Sequence, residues 1–386
     1  MQDLLDSLGK RLESLWKTRD VRAERHSRSY QCRCGNRIFF DNTQCLLCGS
    51  PLGLLPDTGA VVALDPGLSP GTWCVAGRKE LLKCCANRDS QAACNWMIFA
   101  HNPRIYCIAC RLNRTIPRLD DADNVRYWIK IEAAKRRIVS QMIALGLPVG
   151  SRIDDDPEHG LMFDFLRSEP GGPRVMTGHG GGLITINVEE ADDAKREQIK
   201  YELREPYRTL LGHFRHEIGH YYWYRIVWST PGWLEPCREL FGDERASYTK
   251  AIERHYKVGP PPDWADSFIT SYAAMHPWED WAETWAHYLH IVDSLGTAMG
   301  FGIDIDNLEG EVQPFTLDAL YAPDDPGAAR FLKLLNAWVG MTMILNELAR
   351  SMGQPDFYPF VMSKPVVAKL QFVQMIVLAA CASPDL

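Results

Sequence analysis

The stretch that decides the fold is HFRHEIGHYYWY, residues 213–224. It contains the pattern His-Glu-x-x-His, formed by His216, Glu217 and His220. Residues four apart in a helix lie on one face, so both imidazoles can bind a single metal ion. Glu217 then projects beside that ion, where its carboxylate can take a proton from a bound water molecule. Because this pattern arises by chance in roughly one chain in fifty of this length, it needs support from elsewhere.

A catalytic zinc ion usually has three protein ligands and one open position, so a third ligand is required. Residues 276–290, HPWEDWAETWAHYLH, offer candidates on a second predicted helix. Glu279 and Glu283 share one face of that helix, so one can bind the metal while the other holds a ligand histidine. The tryptophans around them indicate a buried helix, where a carboxylate needs a partner. The residues alone leave the choice between the two glutamates open, with His287 and His213 as weaker alternatives.

Cysteines are concentrated in the first third of the chain, where ten of the 12 precede residue 111. No secretory signal is recognisable, so we expect a cytoplasmic protein, in which clustered cysteines bind metal rather than form disulfides. Two structural zinc sites are predicted, with these ligands: Cys32, Cys34, Cys45 and Cys48, then Cys85, Cys94, Cys107 and Cys110. Cys84 is an alternative to Cys85 in the second set. Three further cysteines are expected to be buried thiols: Cys74, Cys237 and Cys381.

The composition limits the class of protein. With 386 residues and 46% hydrophobic residues, the chain can form a sizeable core. Its net charge of −7 argues against a general nucleic-acid binder. Residues 1–120 hold 17 Lys/Arg and 11 Asp/Glu, but no aromatic and basic stripe accompanies this excess. No unbroken apolar run approaches the roughly 18 residues of a membrane span. We therefore expect neither nucleic acid nor a membrane as a partner.

The composition and the spacing of apolar residues change along the chain, and together they predict an α+β protein. Residues 1–24 have leucines at helical spacing and predict an amphipathic helix. Residues 25–118 are rich in cysteine and turns and predict a small β zinc-ribbon module. Residues 119–300 predict a mainly helical catalytic domain that contains one strand at 183–188. Residues 301–386 predict a helical part packed on that domain.

The two metal-ligand motifs resemble the gluzincin metallopeptidases, including the lethal-factor type, in which H-E-x-x-H is followed by E-x-x-A-E on a second helix. The resemblance implies a zincin-like fold, with Glu279 as the zinc ligand and Glu283 as its hydrogen-bonding support. It also implies that Tyr272, seven residues before the ligand glutamate, donates a hydrogen bond to the developing oxyanion. Gluzincins bind extended substrates along an edge strand that precedes the metal helix. The corresponding substrate-binding residues would be Gly181, Gly182, Leu183, Ile184 and Thr185.

The chain as a whole resembles a bacterial family of zinc-binding metallopeptidases with an N-terminal zinc-ribbon domain. QCRCGNRIFFDNTQCLLCG at 31–49, CNW at 94–96 and CIACRLNRTIP at 107–117 carry this resemblance, together with the two motifs above. It implies a peptidase with one catalytic and two structural zinc ions, acting on a peptide or protein with Glu217 as general base. The alternative is a non-enzymatic scaffold with a structural His-Glu site. Whether the ribbon recruits a partner or covers the active site stays open.

Overall fold

The structure is a computed structural model that describes residues 29–169, 171–173, 175–203, 209–305 and 314–382. The amphipathic helix predicted over residues 1–24 lies outside these residues. The described chain combines small sheets at its beginning with long helices in its second half. The prediction of a mixed helix-and-sheet protein with an N-terminal β zinc-ribbon region is therefore confirmed.

The cysteine-rich module consists of short antiparallel strands. Two hairpins are followed by a four-stranded sheet, and the strands are β1 (Ser29–Gln31), β2 (Arg37–Phe39), β3 (Leu52–Leu54), β4 (Val61–Ala63), β5 (Asp65–Pro66), β6 (Thr72–Cys74), β7 (Leu82–Cys84) and β8 (Met97–Phe99). Isolated hairpins of this length are marginal in water. We therefore expect the metal-binding cysteines to contribute much of the module's stability.

A second four-stranded sheet forms one wall of the remaining chain, in the order β11-β12-β10-β9. Its strands are β9 (Asn113–Thr115), β10 (Met162–Leu166), β11 (Gly178–Gly180) and β12 (Leu183–Asn187). Strands β9, β10 and β12 are parallel, whereas β11 runs antiparallel to β12. Because β9 begins three residues after Cys110, the last residues of the cysteine-rich module belong to this sheet.

The strand predicted to bind the substrate, β12, lies inside the sheet and not at its edge. β12 pairs with β10 on one side and β11 on the other, so residues 183–185 have their backbone groups engaged inside the sheet. Gly181 and Gly182 form the turn between β11 and β12, both with positive φ. The prediction of residues 181–185 as an edge strand is therefore wrong. Among the described strands, the edges of this sheet are β11, next to β12, and β9 on the opposite side.

The helices carry the rest of the described fold. They are α1 (Ala122–Ala144), α2 (Asp193–Leu203), α3 (Leu210–Tyr222), α4 (Leu234–Phe241), α5 (Tyr248–Val258), α6 (Pro277–Gly300), α7 (Ala328–Ser351) and α8 (Lys364–Ala382). α3 contains the His-Glu-x-x-His pattern and lies against the sheet, where Phe214 meets Phe163 and Phe165 edge-on with ring centroids 5.6 and 6.3 Å away. α6 packs on α3 and carries both candidate glutamates.

α7 and α8 have the length and composition of membrane-spanning helices, with mean hydropathies of 1.2 and 1.4 over their most apolar windows. Polar residues interrupt both helices, so neither contains a long unbroken apolar run that the sequence would reveal. α8 nevertheless contains Lys369, which is buried and donates to Asp280 of α6 at 2.6 Å. A buried ion pair of this kind indicates a helix packed inside a protein core.

Candidate metal centre

Three side chains from α3 and α6 meet at the bottom of a cleft. Nε2 of His216 lies 3.0 Å and Nε2 of His220 lies 3.6 Å from Oε2 of Glu279. All three residues are buried, and their geometry could hold a metal ion. Glu279 lies in the first turn of α6, where His276 caps the helix by accepting a hydrogen bond from the backbone of Trp278 at 3.1 Å.

The hydrogen bonds around His216 indicate that a cation belongs between these groups. Nδ1 of His216 is 2.6 Å from Oε1 of Glu283, a contact that places a proton on Nδ1 and leaves Nε2 to face the centre. Oε2 of Glu279 lies 3.0 Å from this Nε2 and has no hydrogen-bond partner among the described residues. A buried nitrogen and carboxylate oxygen this close need a proton or a metal cation between them. Imidazole nitrogen and carboxylate oxygen are zinc ligands, so the residues present fit a zinc ion.

The two glutamates of α6 have different surroundings. Glu283 uses one oxygen for His216 and accepts a hydrogen bond from the Thr270 hydroxyl on the other, at 2.9 Å. It therefore has no oxygen directed at the centre. Glu279 faces both ligand histidines. The geometry favours Glu279 as the third ligand and Glu283 as the residue that orients His216.

The other histidines considered as ligands are engaged elsewhere. Nε2 of His213 lies 3.3 Å from Oε1 of Glu217, and its Nδ1 hydrogen-bonds to Glu190. Nδ1 of His287 lies 2.7 Å from the hydroxyl of Tyr358. Within the described chain, the centre thus offers three candidate protein ligands, and these residues line the cleft. Catalytic zinc sites have this arrangement, whereas structural sites are closed by a fourth ligand.

Glu217 lies beside the centre without joining it. Its Oε1 faces His213, and its Oε2 is buried with no partner in the part of the chain that the structure describes. Burial by itself raises the pKa of Glu217, but His213 and the neighbouring His216 outweigh burial and hold the pKa below its ordinary value. An ionised carboxylate with one free oxygen can accept a proton.

Two tyrosines lie at the rim of the centre. The Tyr272 ring is 6.0 Å from the His216 ring, between centroids, and lines the cleft. Burial and the nearby Glu279 raise the pKa of Tyr272 well above its ordinary value, so its hydroxyl stays protonated and can donate. Tyr248, the first residue of α5, interacts with both Tyr272 and Glu279. Tyr248 could not be predicted from the sequence, because α5 carries no recognisable motif.

The cleft above the centre has a volume of about 1430 Å³. β11 forms part of its wall through Gly178 and His179, and the ring of His179 stacks near His220 at a centroid distance of 6.4 Å. Burial and the nearby His220 lower the pKa of His179 to about 4, so this ring is neutral. No residue between 29 and 118 lines the cleft, so the described ribbon module leaves it uncovered.

The two cysteine sets also converge in space. Within each set the four Sγ atoms lie within 4.8 Å of one another. Sγ atoms lie 3.7 Å apart in Cys34 and Cys45 of the first set and in Cys94 and Cys107 of the second. Tetrahedral zinc with bonds of about 2.3 Å places its sulfurs about 3.8 Å apart, and a disulfide requires about 2.05 Å. The spacing is that of zinc thiolate sites.

The remaining cysteines lie outside both sets. Cys85 belongs to the second set and Cys84 does not, which answers the question that the sequence left open. Cys237 is buried, as predicted. Cys74 and Cys381 are only partly buried, so the prediction of buried thiols is wrong for these two. Both lie near the ends of elements, where packing is incomplete.

A His/His/Glu centre open to a cleft, together with two sets of four cysteines, defines a zinc-binding protein with a metallopeptidase-like site. Residues 124–376 match the family described as "Putative zinc-binding metallo-peptidase", and residues 29–121 match a zinc-ribbon domain. The chain belongs to this metallopeptidase family and carries the N-terminal zinc ribbon, as the sequence resemblance predicted.

The similarity to relatives extends over most of the chain. Uncharacterised proteins of Mycobacterium bovis and Mycobacterium tuberculosis are 40% identical to it over 351 residues, which cover 91% of this chain and 95% of each relative. No solved structure gave a significant match. The family description and the two cysteine sets both support zinc as the metal.

Proposed function

We propose that the protein is a zinc-dependent, gluzincin-like metallopeptidase with a zincin-like fold, which hydrolyses a peptide or related amide bond. The observation that carries this proposal is the free Oε2 of Glu217, buried beside three ligand side chains and unpartnered among the described residues. A structural zinc site has no use for such a base. A hydrolase requires one.

A zinc ion held by His216, His220 and Glu279 would polarise the scissile carbonyl and acidify the attacking water molecule. Glu217 accepts the water proton on Oε2 and passes it to the leaving nitrogen. Tyr272 donates a hydrogen bond to the former carbonyl oxygen as negative charge develops there. Its raised pKa keeps the donated proton in place.

An extended substrate would bind beside β11, the edge strand that lines the cleft. Among the described strands, β11 pairs only with β12, so its other side can form hydrogen bonds with a peptide backbone. Gly178 and His179 line the cleft at this edge. Residues 178–180 thus replace residues 181–185 as the proposed substrate-binding strand. Each chain would bind one catalytic and two structural zinc ions.

The test uses zinc-loaded full-length protein and a fluorogenic peptide library, supplemented with denatured casein. Wild type is expected to cleave members of the library. Glu217→Gln is expected to retain its zinc and fold but to lose at least about 100-fold in turnover, because an amide cannot accept the proton. Equal activity of both proteins would indicate a contaminating protease. Fully zinc-loaded wild type that cleaves nothing would favour the scaffold alternative.

A further inference from the structure

Both ring nitrogens of His213 are engaged by carboxylates. Nε2 lies 3.3 Å from Oε1 of Glu217, and Nδ1 forms a short hydrogen bond with Oε2 of Glu190. An ionised carboxylate only accepts hydrogen bonds, so His213 satisfies both when each of its nitrogens carries a proton. The ring therefore lies between two carboxylates, with one nitrogen directed at each of them.

Glu190 is held in turn by the segment that leads into the edge strand. The hydroxyl of Thr177 donates to Oε1 of Glu190 and accepts a hydrogen bond from the backbone of Asn187 at 3.0 Å. The Asn187 side chain also donates to the carbonyl of Val175 at 3.1 Å. Thr177 immediately precedes β11. A continuous series of hydrogen bonds thus runs from this segment to His213, and an ion-pair contact continues it to Glu217.

We propose that Glu190 and His213 form a bridge that positions Glu217 and connects it to the start of β11. The proposal rests on the function proposed for Glu217. His213 engages Oε1, which leaves Oε2 without a partner among the described residues. A carboxylate next to zinc could otherwise rotate and become a further ligand, which would remove the base and fill the open position. His213 is in this sense a positioning residue, and Glu190 holds it through Nδ1.

The bridge can be tested without a substrate by NMR on zinc-loaded protein labelled with ¹⁵N-histidine at pH 7. His213 is expected to give two slowly exchanging ring N–H signals, identified by their loss in His213→Gln. Glu190→Gln should abolish or shift one of them. Glu197→Gln, an exposed position on α2 paired with Lys200, should leave both unchanged. A single signal from wild-type His213, or no effect of Glu190→Gln, would overturn the bridge.

Steady-state kinetics tests whether His213 and Glu190 position Glu217. His213→Ala should lower kcat about 10–100-fold, the usual effect of losing an outer partner at a metal site, with zinc content and KM unchanged. His213→Gln, which can still donate to Glu217, should recover part of the loss. Glu190→Gln should lower kcat although it contacts neither metal ligands nor Glu217. Wild-type kcat in both His213→Ala and Glu190→Gln would contradict the proposal. Inactive wild type with two His213 signals would instead reject the peptidase function alone.

Discussion

Gly219 of α3 lies directly against Ala282 of α6. A Cβ atom on Gly219 would come within 3.1 Å of the Ala282 Cα and within 3.2 Å of the Trp285 side chain. The Trp281 indole donates to the Gly219 carbonyl at 2.9 Å and fixes the two helices at this point. This close approach sets the distance between the histidines on α3 and the first turn of α6.

Gly219→Ala is therefore expected to disturb the metal centre although it removes no ligand. The added methyl group must push backbone and a buried tryptophan apart, and overpacking of this kind typically costs about 1–3 kcal/mol of unfolding free energy. Chelator competition should show weaker zinc binding at the His/Glu centre, with the cysteine sites still loaded. Unchanged affinity at this centre would mean that α6 is positioned by other contacts.

The two glutamates of α6 should be separable by mutation. Glu279→Ala removes an oxygen that faces both ligand histidines, so it should strip the zinc from the centre. Glu283→Ala removes only the hydrogen-bond partner of His216, so a loss of about 10–100-fold in zinc affinity is expected. Competition with a chelator measures both. If Glu283→Ala loses the zinc and Glu279→Ala keeps it, then Glu283 is the ligand and Glu279 is the supporting residue.

Tyr272→Phe should affect turnover without affecting the metal. The ring and its packing against His216 remain, and only the donated hydrogen bond is lost. Loss of one oxyanion donor typically lowers kcat about 100–1,000-fold. We expect zinc content and KM to stay at the wild-type values in steady-state assays. If kcat is unchanged, Tyr272 is a packing residue and Tyr248 becomes the next hydroxyl to test.

The two cysteine sites should differ in their effect on the remaining chain. Cys110 is followed closely by β9, which pairs with β10 in the sheet beside α3. Cys94→Ser should therefore lower the melting temperature and the zinc occupancy of the His/Glu centre. Cys34→Ser, in the first set, should lose one zinc ion per chain and leave that centre loaded. Elemental analysis, with about three zinc ions expected for wild type, compares the variants.

The sequence by itself determined the chemistry of the sites, because that information is local. His216 and His220 share a helix face by their spacing alone, and the cysteine pairs lie close together in the chain. A ligand set made of such short-range pairs needs little knowledge of the fold. The choice between Glu279 and Glu283 came from a family resemblance, and the hydrogen bonds of Glu283 now support it.

Only the tertiary structure decided whether β12 lies inside its sheet or at an edge, and which groups contact Glu217. The side chains of β12 alternate between the two faces of the sheet whether the strand is internal or at an edge. β12 is internal because β10 pairs with it, and β10 was not predicted from the sequence. Glu190 and His213 are likewise adjacent only because β12 ends beside α3. Helical spacing repeats within a few residues and can be read locally. Strand neighbours and long-range hydrogen bonds depend on how distant segments pack, so they appear only in the folded chain.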